Sequence, residues 1–537
     1  MNLKNFIKIY RGMNNKVVLI QPRNTLSLNI YPPLGLIQIG SVLQKKGYDV
    51  DIICCGTTMN YKERILEKCK EVLFAGISIL TPEIPDAVDI ARAIKEHNNI
   101  PIVWGGWHAT LFSEQMAESD LVDKIVVDEG DEAILKIADG YRDDGYTKDK
   151  KNKIFSNCLK LDMNNLPMPD YSLVPNIETY ITGELSDKFL EYDNRKIRWL
   201  PYQASRGCPY ECTFCINVVT DNRKYRIKNA EKVINEIEHL VKKFNLNHIK
   251  IIDDLLFVNI NWVCEIAQGI IDRGLDITWD AEVRVDMFND RLVNDEKLAL
   301  FVRSGMNEVN FGIESGSEKT LASVKKNITP EMALSAVNKC SKYGVTSRCS
   351  FIIDFPGEEK EDIYKTNELV NKIREISNTT VGMHTYRPYP GSELVDELLE
   401  KGVISQPDKF EDWSKSKFIS DFTYASAKRV WQKNYKLSNK ISYYQNLESG
   451  FWLIDHQISN KWVKKINNIF ISISHWRNQN QIYGFTIDRT LYDLFLKSWR
   501  KIREISMAKY PKGTTVSRQS KIDSTTLDAI AEGDLEY

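Results

Sequence analysis

Arg206-Gly207-Cys208-Pro209-Tyr210-Glu211-Cys212-Thr213-Phe214-Cys215 decides how the rest of the chain is read. Three cysteines, spaced Cys-x3-Cys-x2-Cys, follow directly on an apolar strand-like run. A cubane iron–sulfur cluster has four irons and ordinarily takes four thiolates. Three close thiolates with no obvious fourth suggest one open iron, able to bind a small molecule through an amine and a carboxylate. The alternative is a zinc site or three buried thiols. Zinc sites usually pair two such knuckles, and the sequence offers no second one.

Bulk properties narrow the setting. The 537 residues are 42% hydrophobic, enough for several cores. A net charge of −1 gives no reason to expect nucleic-acid binding. Without a run of about 18 apolar residues, no transmembrane segment is expected, and Met1–Met13 lacks the apolar stretch of a secretory leader. Ten cysteines in so long a chain are not a disulfide scaffold. Clustered thiolates fit a reducing, cytoplasmic setting. Cys54, Cys55, Cys69, Cys158, Cys264, Cys340 and Cys349 read as packing residues.

Upstream of the triad, the first third alternates strand and helix. Lys16–Pro22, Asp49–Cys55, Phe74–Leu80, Ile100–Gly106 and Lys124–Glu129 read as strands, each followed by a helical pattern. Five βα units with apolar strands imply a parallel sheet covered on both faces, with ligands at the carboxyl ends. Those ends carry Pro33-Leu34-Gly35, Ser78 with Thr81, Gly105-Gly106-Trp107-His108-Ala109-Thr110, and Asp128-Glu129-Gly130. Downstream, strand candidates begin near Pro201, His248, Asp276, Asn307, Val345 and Asn378, with helices between them, as in an open or closed parallel barrel. Their ends carry Asp253-Asp254, Glu282 and Arg284, Glu314, Asp354-Phe355-Pro356-Gly357, and Tyr386-Arg387-Pro388-Tyr389. Period-two spacing puts Glu282 and Arg284 on one face.

The triad with Phe214 resembles the radical S-adenosylmethionine (SAM) superfamily. The four strand-end segments of the first third resemble the cobalamin-binding domain that precedes some radical SAM cores. The resemblance, over about residues 15–400, implies an α/β chain. A Rossmann-like, flavodoxin-type cobalamin domain (1–145) and a linker (146–195) would precede a partial (β/α)6 radical SAM barrel (196–404). A helical carboxyl-terminal domain (405–511) and a disordered tail (512–537) would follow. It implies a 4Fe-4S cluster on Cys208, Cys212 and Cys215. It implies SAM contacts from Phe214, Asp253, Asp254, Glu282, Arg284, Glu314 and Pro356. Cobalamin contacts would come from Pro33, Leu34, Gly35, Ser78, Thr81, Gly105, Gly106, His108, Thr110, Glu129 and Gly130. The Asp-x-His-x-x-Gly string of another cobalamin class is absent from the sequence, so no histidine is expected under the cobalt. Asp128 and Asp354 stand where the family usually has glycine.

The resemblance implies methylation of an unactivated carbon through a 5′-deoxyadenosyl radical and methylcobalamin. The runner-up is a cyclase, ring-contraction enzyme or oxidase with the same cofactors. A tRNA methylthiotransferase would carry further cluster cysteines, and a non-catalytic sensor would not need acids on several strand ends. Tyr386, Arg387 and Tyr389 are candidates for the substrate, which could be a small molecule, a lipid or a peptide. Flavodoxin or ferredoxin is the expected electron donor. After Ser405, Tyr424–Tyr435 and Thr490–Lys509 read as amphipathic helices.

Overall fold

The computed structural model describes residues 15–24, 31–143, 153–156, 161–183, 191–192, 195–217, 223–415, 428–449 and 461–508. It divides into two compact units, residues 1–309 with 388–419, and residues 310–387 with 420–537.

In the first unit, short β-branched runs bounded by turns form a sheet of β1 (Lys16–Gln21), β2 (Asp49–Cys54), β3 (Phe74–Ser78), β4 (Ile102–Gly105), β5 (Lys124–Val127) and β6 (Ile154–Ser156). The order is β2-β1-β3-β4-β5-β6, and every pairing is parallel. Val17, Val18, Leu19 and Ile20 are all buried. Each such side chain is worth about 1.5–3 kcal/mol, which makes β1 the centre of the core. The strand order reverses between β1 and β3, the switch point where open α/β sheets leave a crevice. Helices α1 (Leu34–Lys45), α2 (Tyr61–Lys68), α3 (Ile84–His97) and α4 (Gly130–Asp143) connect the strands. β6 falls in the segment expected as linker, where it extends the sheet beside β5.

Still in the first unit, β7 (Trp199–Tyr202), β8 (His248–Ile251) and β9 (Thr278–Val283) pair in parallel, Ile251 lying between Tyr202 and Ala281. Between them run α5 (Ala230–Phe244) and α6 (Ile260–Asp272). Helix α5 buries Val233, Ile234, Ile237 and Leu240, spaced to form one stripe. Helix α7 (Asp295–Arg303) leads to β10 (Met306–Glu314), which begins in the first unit and ends in the second. The second unit continues with α8 (Pro330–Lys342), β11 (Thr346–Ile353), α9 (Lys360–Arg374) and β12 (Thr379–Thr385). β11 and β12 are parallel from Ser347↔Thr379 to Ile353↔Thr385. Six strands alternating with helices give the expected partial-barrel class.

The second unit ends in α10 (Tyr435–Glu448), α11 (Lys461–Asn480) and α12 (Ile487–Ala508). The helix expected over 424–435 is corrected: 428–434 form turns and α10 starts at Tyr435. Residues 424–427, Lys509 and the tail expected over 512–537 lie outside the described residues. Helix α11 was not anticipated, and its inward face is polar.

Gly106 closes β4 at φ 90°, and a Cβ there would sit 2.7 Å from the Ile79 carbonyl oxygen. Gly106→Ala therefore meets both backbone strain and a backbone clash. It is expected to cost about 2–4 kcal/mol of stability, read as a lower urea midpoint in cofactor-free protein.

Candidate active site

The cysteine loop hangs from a two-strand hairpin, Ser205–Arg206 paired antiparallel with Arg226–Ile227. Asp253, two residues past the end of β8 and 1% exposed, anchors it. Its oxygens accept from the Ala204 amide at 2.7 Å and the Ser205 hydroxyl at 2.5 Å. Burial pushes this carboxyl up to about 7 against those hydrogen bonds. Asp254 accepts from the Gly207 amide at 3.1 Å and from Asn217 Nδ2 at 2.7 Å, so it spans both ends of the loop. The two acids read from sequence as SAM contacts thus hold the segment that carries the thiols.

Cys208, Cys212 and Cys215 are free thiols. The backbone amides of Tyr210 and Asn217 favour the thiolate forms of Cys208 and Cys215. Burial pushes both thiols up, Cys215 to about 12. Arg284 Nη1 lies 3.9 Å from Cys212 Sγ. The same guanidinium packs 3.7 Å from the Tyr210 ring centroid and pairs with Asp286 at 3.0 Å. Amide donors and one guanidinium around three sulfurs suit thiolates on iron, since hydrogen bonds and positive charge offset the cluster's negative charge. Among the described residues, no three His, Cys, Asp or Glu side chains are gathered to hold a metal ion. Cluster thiolates each take a different iron and need a wider spread. The Thr213 carbonyl accepts from the Leu394 amide at 2.9 Å, so the returning segment backs the loop.

The loop is also tied to the first sheet. Arg226 binds both oxygens of Glu129, at 2.9 and 2.6 Å, and Arg206 reaches Glu129 at 3.2 Å and Asp131 at 3.1 Å. Although burial opposes it, the two arginines hold the Glu129 carboxyl below its ordinary range. Arg206, Arg226 and Asp131 went unmarked in the sequence. Only their position beside the triad and beside Glu129 could have flagged them.

At the carboxyl ends of the first sheet, Ser78 and Gly105 lie in register and are half-buried. Gly35 is exposed, with no atom within 4 Å of a built Cβ. Leu34 is half-buried and Pro33 buried. Small side chains and bare backbone along this ledge suit a broad flat macrocycle. The Thr110 hydroxyl accepts from the Asp128 amide at 3.0 Å, fixing the end of β5. Gly130 packs on Ile39, where a Cβ would come within 3.0 Å.

His108, expected at the corrinoid, is instead completely buried. Its Nδ1 meets the Thr81 hydroxyl at 3.2 Å, and Phe112 and Trp413 pack at 4.7 and 4.9 Å between ring centroids. Trp413 lies some 300 residues on, so sequence proximity to the glycine turn could not reveal it. Burial keeps the imidazole neutral, its pKa lowered to about 3.

In the second unit, buried Glu314 pairs with Lys326 at 3.0 Å. A Cβ on Gly312 would fall 2.5 Å from the Glu314 carboxylate, so that glycine gives the acid its room. Asp354 is buried, and burial pushes its carboxyl up. It accepts from Ser438 at 2.5 Å and Gln432 at 2.9 Å, while its carbonyl accepts from the Trp431 indole at 3.1 Å. Tyr386 is buried against Phe355 and Trp431. Pro356 and Arg387 are half-buried. Back in the first unit, Phe214 is half-buried, and Glu282 and Tyr389 are exposed. Asp128, Glu314 and Asp354 adopt φ of 63°, 68° and 65°. The two departures from family glycines therefore fall where glycine would be at ease.

Residues 202–370 match the radical SAM superfamily model, and residues 24–138 match the B12 binding domain model. The chain is a cobalamin-dependent radical SAM enzyme. A protein of Pyrococcus horikoshii named as an uncharacterized methyltransferase is 28% identical over 395 residues, covering 70% of this enzyme and 80% of that one. An anaerobic magnesium-protoporphyrin IX monomethyl ester cyclase of Rubrivivax gelatinosus is 26% identical over 398 residues, covering 71% and 68%. Among solved structures, the cobalamin-dependent SAM radical enzyme OxsB, with aqua-cobalamin and SAM bound, superposes with a TM-score of 0.66 at 16% identity, over 91% of this enzyme and 75% of that chain. The enzyme's cofactors are a 4Fe-4S cluster, SAM and cobalamin. The relatives thus include proteins named as methyltransferases and proteins named as cyclases. No described helix is long and apolar enough to cross a membrane.

Two outcomes follow from this geometry. Asp254→Ala removes the acceptor for Gly207 and Asn217 and is expected to weaken iron retention roughly 10–100-fold, measured as iron and sulfide per chain after anaerobic reconstitution. For His108, the unfolded imidazole takes a proton below 6.5 that the folded one refuses until about 3. Stability should fall as pH drops through that window, by up to about 1.4 kcal/mol per unit. Urea unfolding of His108→Leu near neutrality and in mild acid should show a shallower slope.

Proposed function

We propose that this enzyme methylates an unactivated carbon of a small molecule, lipid or peptide, drawing its electrons from a flavodoxin- or ferredoxin-like donor in a reducing cytoplasm. The observation that carries the reading is the ion network from Arg206 and Arg226 to Glu129 and Asp131. It ties the cysteine loop to the strand ends of the B12-binding domain, as a reaction shared between two cofactors requires. When bound, the cluster and the corrinoid supply one-electron cleavage of SAM and carriage of a methyl group.

The chain's own residues bind and orient. Cys208, Cys212 and Cys215 would hold the iron–sulfur cluster. Arg284 offsets thiolate charge at Cys212 and keeps Tyr210 against the loop. Asp253 and Asp254 position the loop, a support for SAM binding at one remove. Glu314, steered by Lys326, is the acid proposed for the SAM ribose or methionine end, with Phe214, Glu282 and Pro356 as further contacts. Gly35, Ser78, Gly105 and Gly106 form the corrinoid ledge, edged by Pro33, Leu34, Thr81, Thr110 and Gly130. Glu129 serves that ledge through the arginines. Arg387 and Tyr389 are the proposed substrate contacts, with Tyr386 as packing behind them. The chain is divided as cobalamin domain 1–145, linker 146–195, barrel 196–404 and helical domain 405–511.

The relative named as a cyclase supplies the competing reading. Reduced holoenzyme given deuteromethyl SAM and an extract of small molecules and lipids decides between them. Methylation yields S-adenosylhomocysteine and 5′-deoxyadenosine together, with a deuteromethyl mass shift in one extract component. Cyclisation yields deoxyadenosine without S-adenosylhomocysteine or label. Cys212→Ala should abolish deoxyadenosine formation.

A further inference from the structure

Helix α11 has its polarity inside out. Its inward stripe is Val463, Asn467, Phe470, Ser474, Arg477 and Asn478, with Asn467, Ser474 and Asn478 completely buried. Most of these polar groups find partners within the second unit, Asn467 Nδ2 being the exception. Tyr492 Oη bonds Asn467 at 2.8 Å, Tyr483 Oη bonds Asn478 at 2.9 Å, and Arg477 pairs with Asp488 at 2.6 Å. The adjoining stripe is Trp462, Ile466, Ile469, Ile473 and Trp476, spaced four, three, four and three. It points to solvent, with Trp462 72%, Ile469 53% and Trp476 52% exposed. Burying such a stripe is the ordinary fate of an amphipathic helix, and the exposed run is too long to pass as scattered surface apolars. On α12 and the turn before it, Phe485, Ile487, Leu491 and Leu494 are exposed as well.

Charge selects the occupant. Helix α11 contains no Asp or Glu, while exposed Lys461, Lys464 and Lys465 crowd its amino end. The two acids of residues 461–498, Asp488 and Asp493, already face Arg477 and Arg489. Glu448, packed against α11, is held by Arg374 and His475. A second copy of the helix would bring lysines and apolar residues but no acid to meet them. An anionic lipid surface answers both features. It takes aliphatic side chains to the acyl boundary, seats tryptophans at headgroup level and pairs with lysines. Trp462 and Trp476 would mark the ends of about 21 Å of helix lying in that plane. We propose that α11, joined by the exposed apolar residues of α12, docks this enzyme peripherally on an anionic membrane.

The proposal is independent of the reaction. Full-length holoenzyme is mixed with vesicles of phosphatidylcholine alone, or of equal parts phosphatidylcholine and phosphatidylglycerol, and floated on a density gradient. The expected result is flotation with the anionic vesicles only, weakened by salt. Ile469→Asp and the pair Lys464→Glu with Lys465→Glu should each lower partitioning roughly tenfold or more. Gln479→Ala, exposed outside the stripe, should leave it unchanged. Each variant changes an exposed side chain, so iron content checks that it has folded. Failure of the wild type to float with anionic vesicles overturns the proposal, as does flotation indifferent to Ile469→Asp. Self-association in sedimentation that Ile469→Asp abolishes, without flotation, assigns the stripe to a second copy. Binding of an acidic protein with no vesicle binding likewise counts against a membrane.

Discussion

Two arginines on the hairpin that carries the cysteine loop close onto two acids at the end of one strand of the first sheet. That contact constrains everything else in the first unit. Glu129 and Asp131 sit where a parallel sheet exposes its strand ends, and Arg206 stands two residues before Cys208. Ion pairs this far from water add little net stability, because desolvation consumes most of the attraction. Removing one partner is costly, however, because it strands a charge. The network therefore acts chiefly as a fixing device. It holds the thiol loop beside the ledge of Ser78 and Gly105 in one register, which a purely apolar contact would define less sharply.

The strand ends show how function strains a fold. Asp128, Glu314 and Asp354 occupy left-handed backbone, a conformation that costs a residue with a side chain about 1 kcal/mol or more. At Asp354 the cost is offset by Ser438, Gln432 and the Trp431 indole, which convert a strained turn into an anchor for the segment leading into α10. At Glu314 the carboxylate is steered by Lys326 into the space that Gly312 leaves. A glycine would have relieved either strain but supplied no side chain.

Burial reassigns several residues that a linear reading places at ligands. Asp253 spends both oxygens on the backbone and hydroxyl ahead of the cysteine loop, so it acts on the loop before it could act on any ligand. His108 lies beneath an aromatic box closed by a segment far along the chain. Both sit one or two residues from positions that do face the strand ends, and only packing separates the two groups.

The sequence by itself determined the thiolate triad, the alternation of strand and helix, and the small residues at the strand ends. Each of these is local: ligand spacing, hydrophobic period and turn chemistry are written within about ten residues. Tertiary structure alone decided which acids support and which face outward, that Arg206 and Arg226 bind Glu129, and that α11 turns its polar stripe inward. Those outcomes depend on partners from 20 to 300 residues away, such as Tyr492 for Asn467 and Trp413 for His108. Burial and charge pairing are properties of the space between segments, and no periodicity along a single segment encodes them.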